Sequence, residues 1–442
     1  MKKKYFGTDG IRGEVGTFPI INPFFFKLAI SLAKSKKNIK KIIIGKDTRL
    51  SCSSLENALL NGFSSVGVKS DFIGVVSTPI LSFYTKFFKY DYGIMISASH
   101  NPHYDNGIKI FKKNGEKLND SEEVRIEKIL DSLNIKTDLR KNKPVNKVLN
   151  FENYKKAILK KFPAKKFKIK IALDCANGSV FEIAPQFFGD IGCDIVKYST
   201  KPNGVNINKN CGAMYPERIA KLTIQNRADI GLSFDGDADR VIVSDERGQI
   251  LDGDVIMAAI VKFYGLKKNF KLKSVVSTYM CNLGFREFLK TLKIRLHLTK
   301  VGDRYVIEKM KQAKLHLGGE QSGHIIFSDN GYCGDGILTA MFIINIISEL
   351  KVKLSKFTED LFLKKPQKLI NIKTKINSEK IAKHQEMQKV LKKIKIKYKN
   401  LDYLIRKSGT ENVLRIMVQS KDKTEVSEVL KILVNLVKSL DD

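Results

Sequence analysis

Apolar, β-branched runs alternate with stretches of helical period three times along this chain, the pattern of repeated β-α-β units. The first set of strands is expected at residues 41–45, 69–73 and 92–97. The second is expected at 168–174, 193–198 and 229–233, and the third at 274–277, 295–299 and 315–318. Each third strand runs into a loop of small and reactive residues. These loops are Ser97-Ala98-Ser99-His100, then Asp235-Gly236-Asp237-Ala238-Asp239-Arg240, then Gly319-Glu320-Gln321-Ser322-Gly323-His324. Ligands of open α/β sheets bind beyond the carboxyl ends of the strands. Three similar domains would therefore aim three loops at one cleft.

A smaller block follows Lys364-Lys365-Pro366. It holds an apolar strand at 413–418 and an amphipathic helix from Thr424. The alternating Ile and Lys of 391–399 read as a surface strand with one solvated face. Residues 337–347 are the longest apolar stretch, broken by Thr339 and Asn345; they are too short to span a bilayer and predict a buried helix. The expected architecture is α/β. Three similar α/β domains, with mixed sheets flanked by helices, precede a smaller C-terminal α+β domain. Boundaries are expected at 1–150, 151–253, 254–365 and 366–442, with the polar segment 134–150 and the turn-rich 248–254 as junctions.

Length and composition agree with this picture: 442 residues, 43% of them hydrophobic, suffice for several cores. None of the six cysteines forms a C-x-x-C pair, which suits free thiols in a reducing cytosol. The basic start Met1-Lys-Lys-Lys is followed by a polar, Gly-rich segment instead of the apolar core of a secretory signal. A cytoplasmic protein without membrane contact is expected, as a monomer or homodimer. The net charge of +33 raises a nucleic-acid reading. Against it, about five Lys occur for every Arg, and they are spread along the whole chain. No specific nucleic-acid partner is expected, although a positive cleft would favour an anionic small molecule.

The loops carry the chemistry. A serine hydroxyl needs activation to act as a nucleophile, and phosphoryl transfer depends chiefly on neutralising charge. Ser99 sits at a strand-end turn beside His100. Asp235, Asp237 and Asp239 alternate with Gly and Ala, so their oxygens can converge on a hard cation such as Mg²⁺. A calcium loop counted from Asp235 would find Glu246 at its twelfth position but has Arg240 where the sixth requires Gly. Lys109 closely follows the Ser99 loop and is either a phosphate contact or a proton carrier; a surface lysine is the plainer alternative. Arg12, in the Gly-rich segment 7–13, offers a second cation. Glu320, Ser322 and His324 alternate in a loop able to approach sugar hydroxyls, or they form an ordinary turn. Arg406, Ser408, Gly409 and Thr410, with Arg415 on the next strand, combine guanidinium, hydroxyl and backbone donors into an anion nest.

These motifs in this order resemble the α-D-phosphohexomutase family. The likeness includes Tyr5-Phe-Gly-Thr-Asp-Gly-Ile-Arg-Gly13, Ile44-Gly-Lys-Asp-Thr-Arg49, Ile96-Ser-Ala-Ser-His-Asn-Pro102 and Asp174-Cys-Ala-Asn-Gly178. It continues through Pro202-Asn-Gly-Val-Asn-Ile-Asn208, Lys300-Val-Gly-Asp-Arg-Tyr305, Gly319-Glu-Gln-Ser-Gly-His324 and Arg406-Lys-Ser-Gly-Thr-Glu411. The resemblance implies four domains around a central cleft, handling phosphoserine, metal, sugar and distal phosphate in turn. It implies that Ser99 becomes phosphoserine and that Asp235, Asp237 and Asp239 bind Mg²⁺ with it. Arg12, His100, Lys109, Arg240 and His324 would line the reacting centre. Glu320 and Ser322 would hold sugar hydroxyls, and Arg406, Ser408, Gly409, Thr410 and Arg415 the non-reacting phosphate. The implied partner is a small sugar phosphate, with glucosamine 6-phosphate expected and mannose or glucose phosphate the alternative. The implied intermediate is glucosamine 1,6-bisphosphate, on a route to UDP-N-acetylglucosamine and cell-wall precursors. Asp303 is a possible partner for the sugar ammonium, or else it orients Arg304. Two departures stand out: Ala238 replaces a common Gly, and Asn412 a common Pro.

Overall fold

The computed structural model describes residues 3–135, 151–164, 166–267, 272–407 and 413–441. Ser408, Gly409 and Thr410 of the expected anion nest lie outside the described residues, as do Asn412 and most of the 134–150 junction. Strands β1 (Ile11–Glu14), β2 (Lys41–Lys46), β3 (Lys69–Val75), β4 (Tyr92–Ile96) and β5 (Asp105–Lys112) form a sheet in the order β1-β5-β4-β2-β3. A second sheet has the order β10-β9-β8-β6-β7. Its strands are β6 (Lys170–Asp174), β7 (Asp194–Tyr198), β8 (Ile230–Phe234), β9 (Val241–Asp245) and β10 (Ile250–Leu251). The third sheet, β12-β11-β13-β14, is made of β11 (Ser274–Thr278), β12 (Arg295–Thr299), β13 (Leu317–Gly319) and β14 (Ile325–Phe327). The fourth is antiparallel, β15-β17-β16, from β15 (Gln367–Lys373), β16 (Asp402–Lys407) and β17 (Val413–Gln419).

One topology recurs in the first three sheets. The first long strand lies between the second and third, all parallel. The strand after the third turns back antiparallel beside it. Each reactive loop connects that third strand to its antiparallel return. All nine expected strands coincide with observed ones to within about two residues. They are legible because strands covered by helices on both faces read as unbroken apolar runs.

Residues 337–347 do form a helix, Gly336–Leu350, buried at every position from Gly336 to Ile347. Asp335 caps it, accepting a hydrogen bond from Leu338 N. This helix is part of one continuous core that runs through the first three domains, including Tyr84, Tyr154, Phe188, Phe234, Met257 and Phe342. The fourth domain has a core of its own, where Leu414, Ile416 and Val418 meet Met387, Leu391, Val429 and Leu433. Among the described residues no helix is long and apolar enough to cross a membrane.

Residues 391–399 correct the sequence expectation: they are not a strand, and 391–397 form the second half of a helix, Gln385–Lys397. Met387, Leu391 and Ile394 are its buried positions, spaced four and three apart, and His384 caps its start. The Ile-Lys alternation imitates period two only because Ile396 lies on the solvent face, 77% exposed. Lys, Gln and Glu are also good helix formers.

Ile394 and Ile396 would share a face in a strand but lie on opposite sides of a helix. Ile394→Ala is therefore expected to destabilise the fourth domain by about 2–5 kcal/mol. Ile396→Ala should stay within about 0.5 kcal/mol. Urea unfolding of the two variants checks both values.

Candidate active site

Ser99 lies just past the end of β4 and is fully buried. Its backbone is left-handed, φ 53°, a conformation that costs a non-glycine residue about 1–3 kcal/mol and persists only when the surroundings enforce it. The turn directs Oγ at the second domain, where it donates to Asp235 Oδ2 at 2.6 Å. His100 Nδ1 lies 3.4 Å from the same hydroxyl. The loop after β8 folds as its small residues require. Gly236 packs so closely that a Cβ there would come within 2.5 Å of Ser99 O. Ala238, the departure from Gly, still adopts a left-handed backbone at φ 54°.

Carboxylate oxygens of Asp235, Asp237 and Asp239 all lie within 4.8 Å of one another, and all three residues are buried. Lys109, on β5, donates to Asp237 Oδ2 and to Asp239 Oδ2, each at 2.7 Å. The Thr78 hydroxyl also donates to Asp237 Oδ2. Asp237 Oδ1 and Asp239 Oδ1 are buried without a hydrogen-bond partner. Buried oxygens with unused lone pairs, gathered from three carboxylates, fit a hard divalent cation.

The electrostatics agree. Burial, then the charges of Asp239 and Asp237, push the Asp235 carboxyl up to about 7. Burial works against the Lys109 ammonium, but Asp237, Asp239 and Asp9 outweigh it and hold the proton well above the ordinary range. The Arg240 charge, with burial, keeps His100 well below the ordinary histidine value, so its ring is neutral. His324 also loses by burial, yet the nearby Asp239 raises it above that value.

The remaining expected residues arrive from all four domains. Arg240 Nε stands 3.8 Å from Asp239 Oδ1 and 4.0 Å from Asp235 Oδ2. Arg12 donates to Ala98 O at 3.2 Å and pairs with Asp9. His324 Nδ1 is 3.6 Å from Asp239 Oδ1, and its Nε2 is 3.8 Å from Asp303 Oδ2. Asp303 pairs with Lys117, which also holds Asp9, and it accepts from Arg304 N at 2.8 Å. Glu320 is buried and accepts from Gly302 N at 3.0 Å; burial raises its carboxyl. Ser322 is exposed in the same loop. In the fourth domain Arg406 faces Arg415 across β16 and β17. Among the described residues, neither buried Nε has a hydrogen-bond partner. Burial and then Arg415 lower Arg406, whose charge the Glu320 carboxylate supports. Like charges directly opposite on a sheet repel, and an anion between them would reverse that.

Sequence reasoning did not single out Thr78, Lys117, Asp9, Arg49 or Asn208. Asp9, Arg49 and Asn208 lie in motifs that carried the resemblance, which was the available signal. Thr78 and Lys117 had none: Thr78 is an ordinary helix-start residue, and Lys117 is one lysine among many.

Fold and site together define a phosphoryl-transfer enzyme assembled from four domains around a carboxylate cluster. Family models described as phosphoglucomutase/phosphomannomutase match the chain in order. Alpha/beta/alpha domain I matches residues 3–136, domain II 151–248, domain III 252–364, and the C-terminal domain 369–436. The chain belongs to the phosphoglucomutase/phosphomannomutase family. It is similar to the phosphoglucosamine mutase of Buchnera aphidicola subsp. Baizongia pistaciae, 42% identical over 99% of this chain and 97% of that protein. It is also similar to the phosphoglucosamine mutase of Aliarcobacter butzleri, 40% identical over 98% of this chain and 99% of that one. By fold it resembles a phosphoglucomutase/phosphomannomutase family protein of Burkholderia thailandensis, with TM-score 0.78, 20% identity and coverage of 98% and 97%. Another neighbour is Aspergillus fumigatus N-acetylphosphoglucosamine mutase, solved with GlcNAc-6P and magnesium, with TM-score 0.68, 18% identity and coverage of 100% and 96%.

The carboxylate cluster predicts one divalent cation site, measurable by calorimetric titration with Mg²⁺ or Mn²⁺. Thr78→Val removes a partner of a ligand and should weaken binding about 10- to 100-fold. Asp237→Asn, which alters a ligand itself, should weaken it further. Unchanged affinity in Asp237→Asn would place the cation elsewhere.

Proposed function

We propose that this enzyme interconverts glucosamine 6-phosphate and glucosamine 1-phosphate, with Ser99 carrying the phosphoryl group between the two positions. The observation that carries the reading is the buried Ser99 Oγ, 2.6 Å from one of three clustered carboxylates. The choice of sugar is supported by relatives 40–42% identical over nearly the whole chain and named phosphoglucosamine mutase.

Phospho-Ser99 gives its phosphoryl group to the free hydroxyl of the sugar phosphate. The P–Oγ bond breaks, a P–O bond to the sugar forms, and glucosamine 1,6-bisphosphate results. The hydroxyl loses a proton as Oγ gains one, and the neutral His100 ring beside Oγ is suited to exchange it. The bisphosphate turns over in the cleft, and its other phosphoryl group returns to Ser99. Asp235, Asp237, Asp239 and the phosphoserine would hold Mg²⁺, which would supply neutralising positive charge for the phosphoryl oxygens. Lys109, Arg12 and Arg240 add fixed positive charge at the same point, so the transferring group is met by cations that need not reorganise. Burial of Ser99 keeps water from the phosphoserine.

In this reading the four domains divide the work among phosphoserine, metal, sugar and distal phosphate. Glu320 and Ser322 orient the hydroxyls. Arg406 and Arg415, with Ser408, Gly409 and Thr410, clamp the phosphate that is not reacting. Six free, buried cysteines suit a reducing compartment, and we assign the enzyme to the cytoplasm. Its product feeds UDP-N-acetylglucosamine.

Turnover measured side by side on glucosamine, glucose and mannose 6-phosphates tests the reading. The specificity constant is expected to be highest for glucosamine 6-phosphate; an equal or higher value for another sugar transfers the assignment to that sugar. Ser99→Ala should fold but lose nearly all turnover. Intact-mass mapping should find about 80 Da, one phosphoryl group, on the wild-type Ser99 peptide.

The clamp makes a separate prediction. Truncating one partner of a desolvated charge pair costs about 2–5 kcal/mol. Arg406→Ala should lower kcat/KM by roughly 30- to several-thousand-fold. The phosphate content of Ser99 should stay nearly unchanged, as intact mass will read.

A further inference from the structure

Arg49 lies in the Gly-Lys-Asp-Thr-Arg motif after β2, and the mechanism above does not use it. Its side chain is completely buried with that of Asp47. A guanidinium has five N–H donors in a rigid fork, and every one has an acceptor here. Nε donates to Asp47 Oδ2 at 2.9 Å. Nη2 donates to Ser99 O at 3.0 Å and to Asn101 O at 2.8 Å. Nη1 donates to Asp105 O at 2.9 Å and to Pro102 O. Three of the five donors therefore hold carbonyls of the single loop that bears Ser99, and a fourth holds Asp105 O at the start of β5.

A second side chain, from the second domain, meets the same acceptors. Asn208 Nδ2 donates to Ser99 O at 2.8 Å and to Asn101 O at 3.0 Å. Each of these carbonyls thus receives one donor from Arg49 and one from Asn208. The Asp47 carboxylate closes the arrangement from the other side. Its Oδ2 accepts from Ser97 Oγ at 2.7 Å, and Ser97 Oγ accepts from Ser99 N at 2.9 Å. Both backbone polar groups of Ser99 are fixed, at the residue whose φ is 53°.

We propose that Arg49 and Asn208 are positioning residues for phosphoryl transfer, holding Ser99 in its left-handed turn so that Oγ points at the carboxylate cluster. Neither touches the reacting atoms; both act through the Ser99 carbonyl. Because Asn208 reaches across from the domain that carries Asp235, the nucleophile is aligned only when the two domains are docked. Lysine cannot replace Arg49, since an ammonium has three donors and no planar fork. The proposal rests on Ser99 being the phosphoryl carrier.

The test follows phosphoryl uptake by the dephosphorylated protein from glucose 1,6-bisphosphate, read as the intact-mass gain on Ser99, in wild type, Arg49→Lys and Asn208→Ala. A misplacement of about 1 Å costs on the order of 100-fold in rate. The maximal uptake rate of each variant is expected to fall roughly 30- to 100-fold. The half-saturating bisphosphate concentration should stay within about 3-fold, because no contact to the sugar changes. If Arg49→Lys fails to fold, Asn208→Ala decides alone. Wild-type maximal rates in the folded variants overturn the proposal. So does a loss confined to low bisphosphate, or one that disappears when rates are normalised to folded protein. If wild-type protein takes up no phosphate on Ser99, the carrier reading falls and this inference with it. Normal wild-type uptake with unimpaired variants overturns the positioning role alone.

Discussion

Three carboxylates buried together set the terms for the rest of this molecule. Asp235, Asp237 and Asp239 are almost wholly withdrawn from water, where like charges repel strongly and each ion forfeits its hydration. Such a cluster survives only if positive charge is brought to it. The cations arrive from separate parts of the chain: Lys109 from the first sheet and Arg240 from the cluster's own loop, with the His324 ring of the third domain beside them. Folding the domains together and balancing this charge are one process. The continuous core of the first three domains holds the balance in place.

The fourth domain obeys a different constraint. It packs around a separate core, and its two arginines, Arg406 and Arg415, face each other across adjacent strands. Contacts at the junction, such as Gln321 to Gln367 at 2.8 Å, tie the 319–324 loop to the first strand of the fourth domain.

Much of this was legible in the sequence, and the division has a physical basis. Strands buried on both faces announce themselves as apolar runs, and a loop of alternating Asp can do little except converge on a cation. The loops that meet through Ser99, Asp235, Asp239 and His324 were therefore readable from a few consecutive residues. What escaped were pairs made across long separations. Lys117 and Asp303 are 186 positions apart, and Thr78 and Asp237 are 159 apart. No local period encodes such a meeting, and in a chain so rich in lysine a single Lys carries no signal. Arg49 stood in a recognised motif, but its partners are backbone carbonyls, which every residue possesses. The helix at Gln385–Lys397 was misread because alternating Ile and Lys satisfied two periods at once, and only packing could choose between them.

Each reactive loop joins a strand to its own hydrogen-bonded neighbour, about 5 Å away. Both ends of the loop are therefore anchored by the same ladder, while its length is free: eight residues separate β4 from β5, six separate β8 from β9, and five separate β13 from β14. Such a loop can change side chains or length without moving the strands that carry it. A one-residue slip of a strand, by contrast, would reverse which face each of its side chains presents. The constant part of this scaffold is its ladder, and variation is confined to what hangs from it.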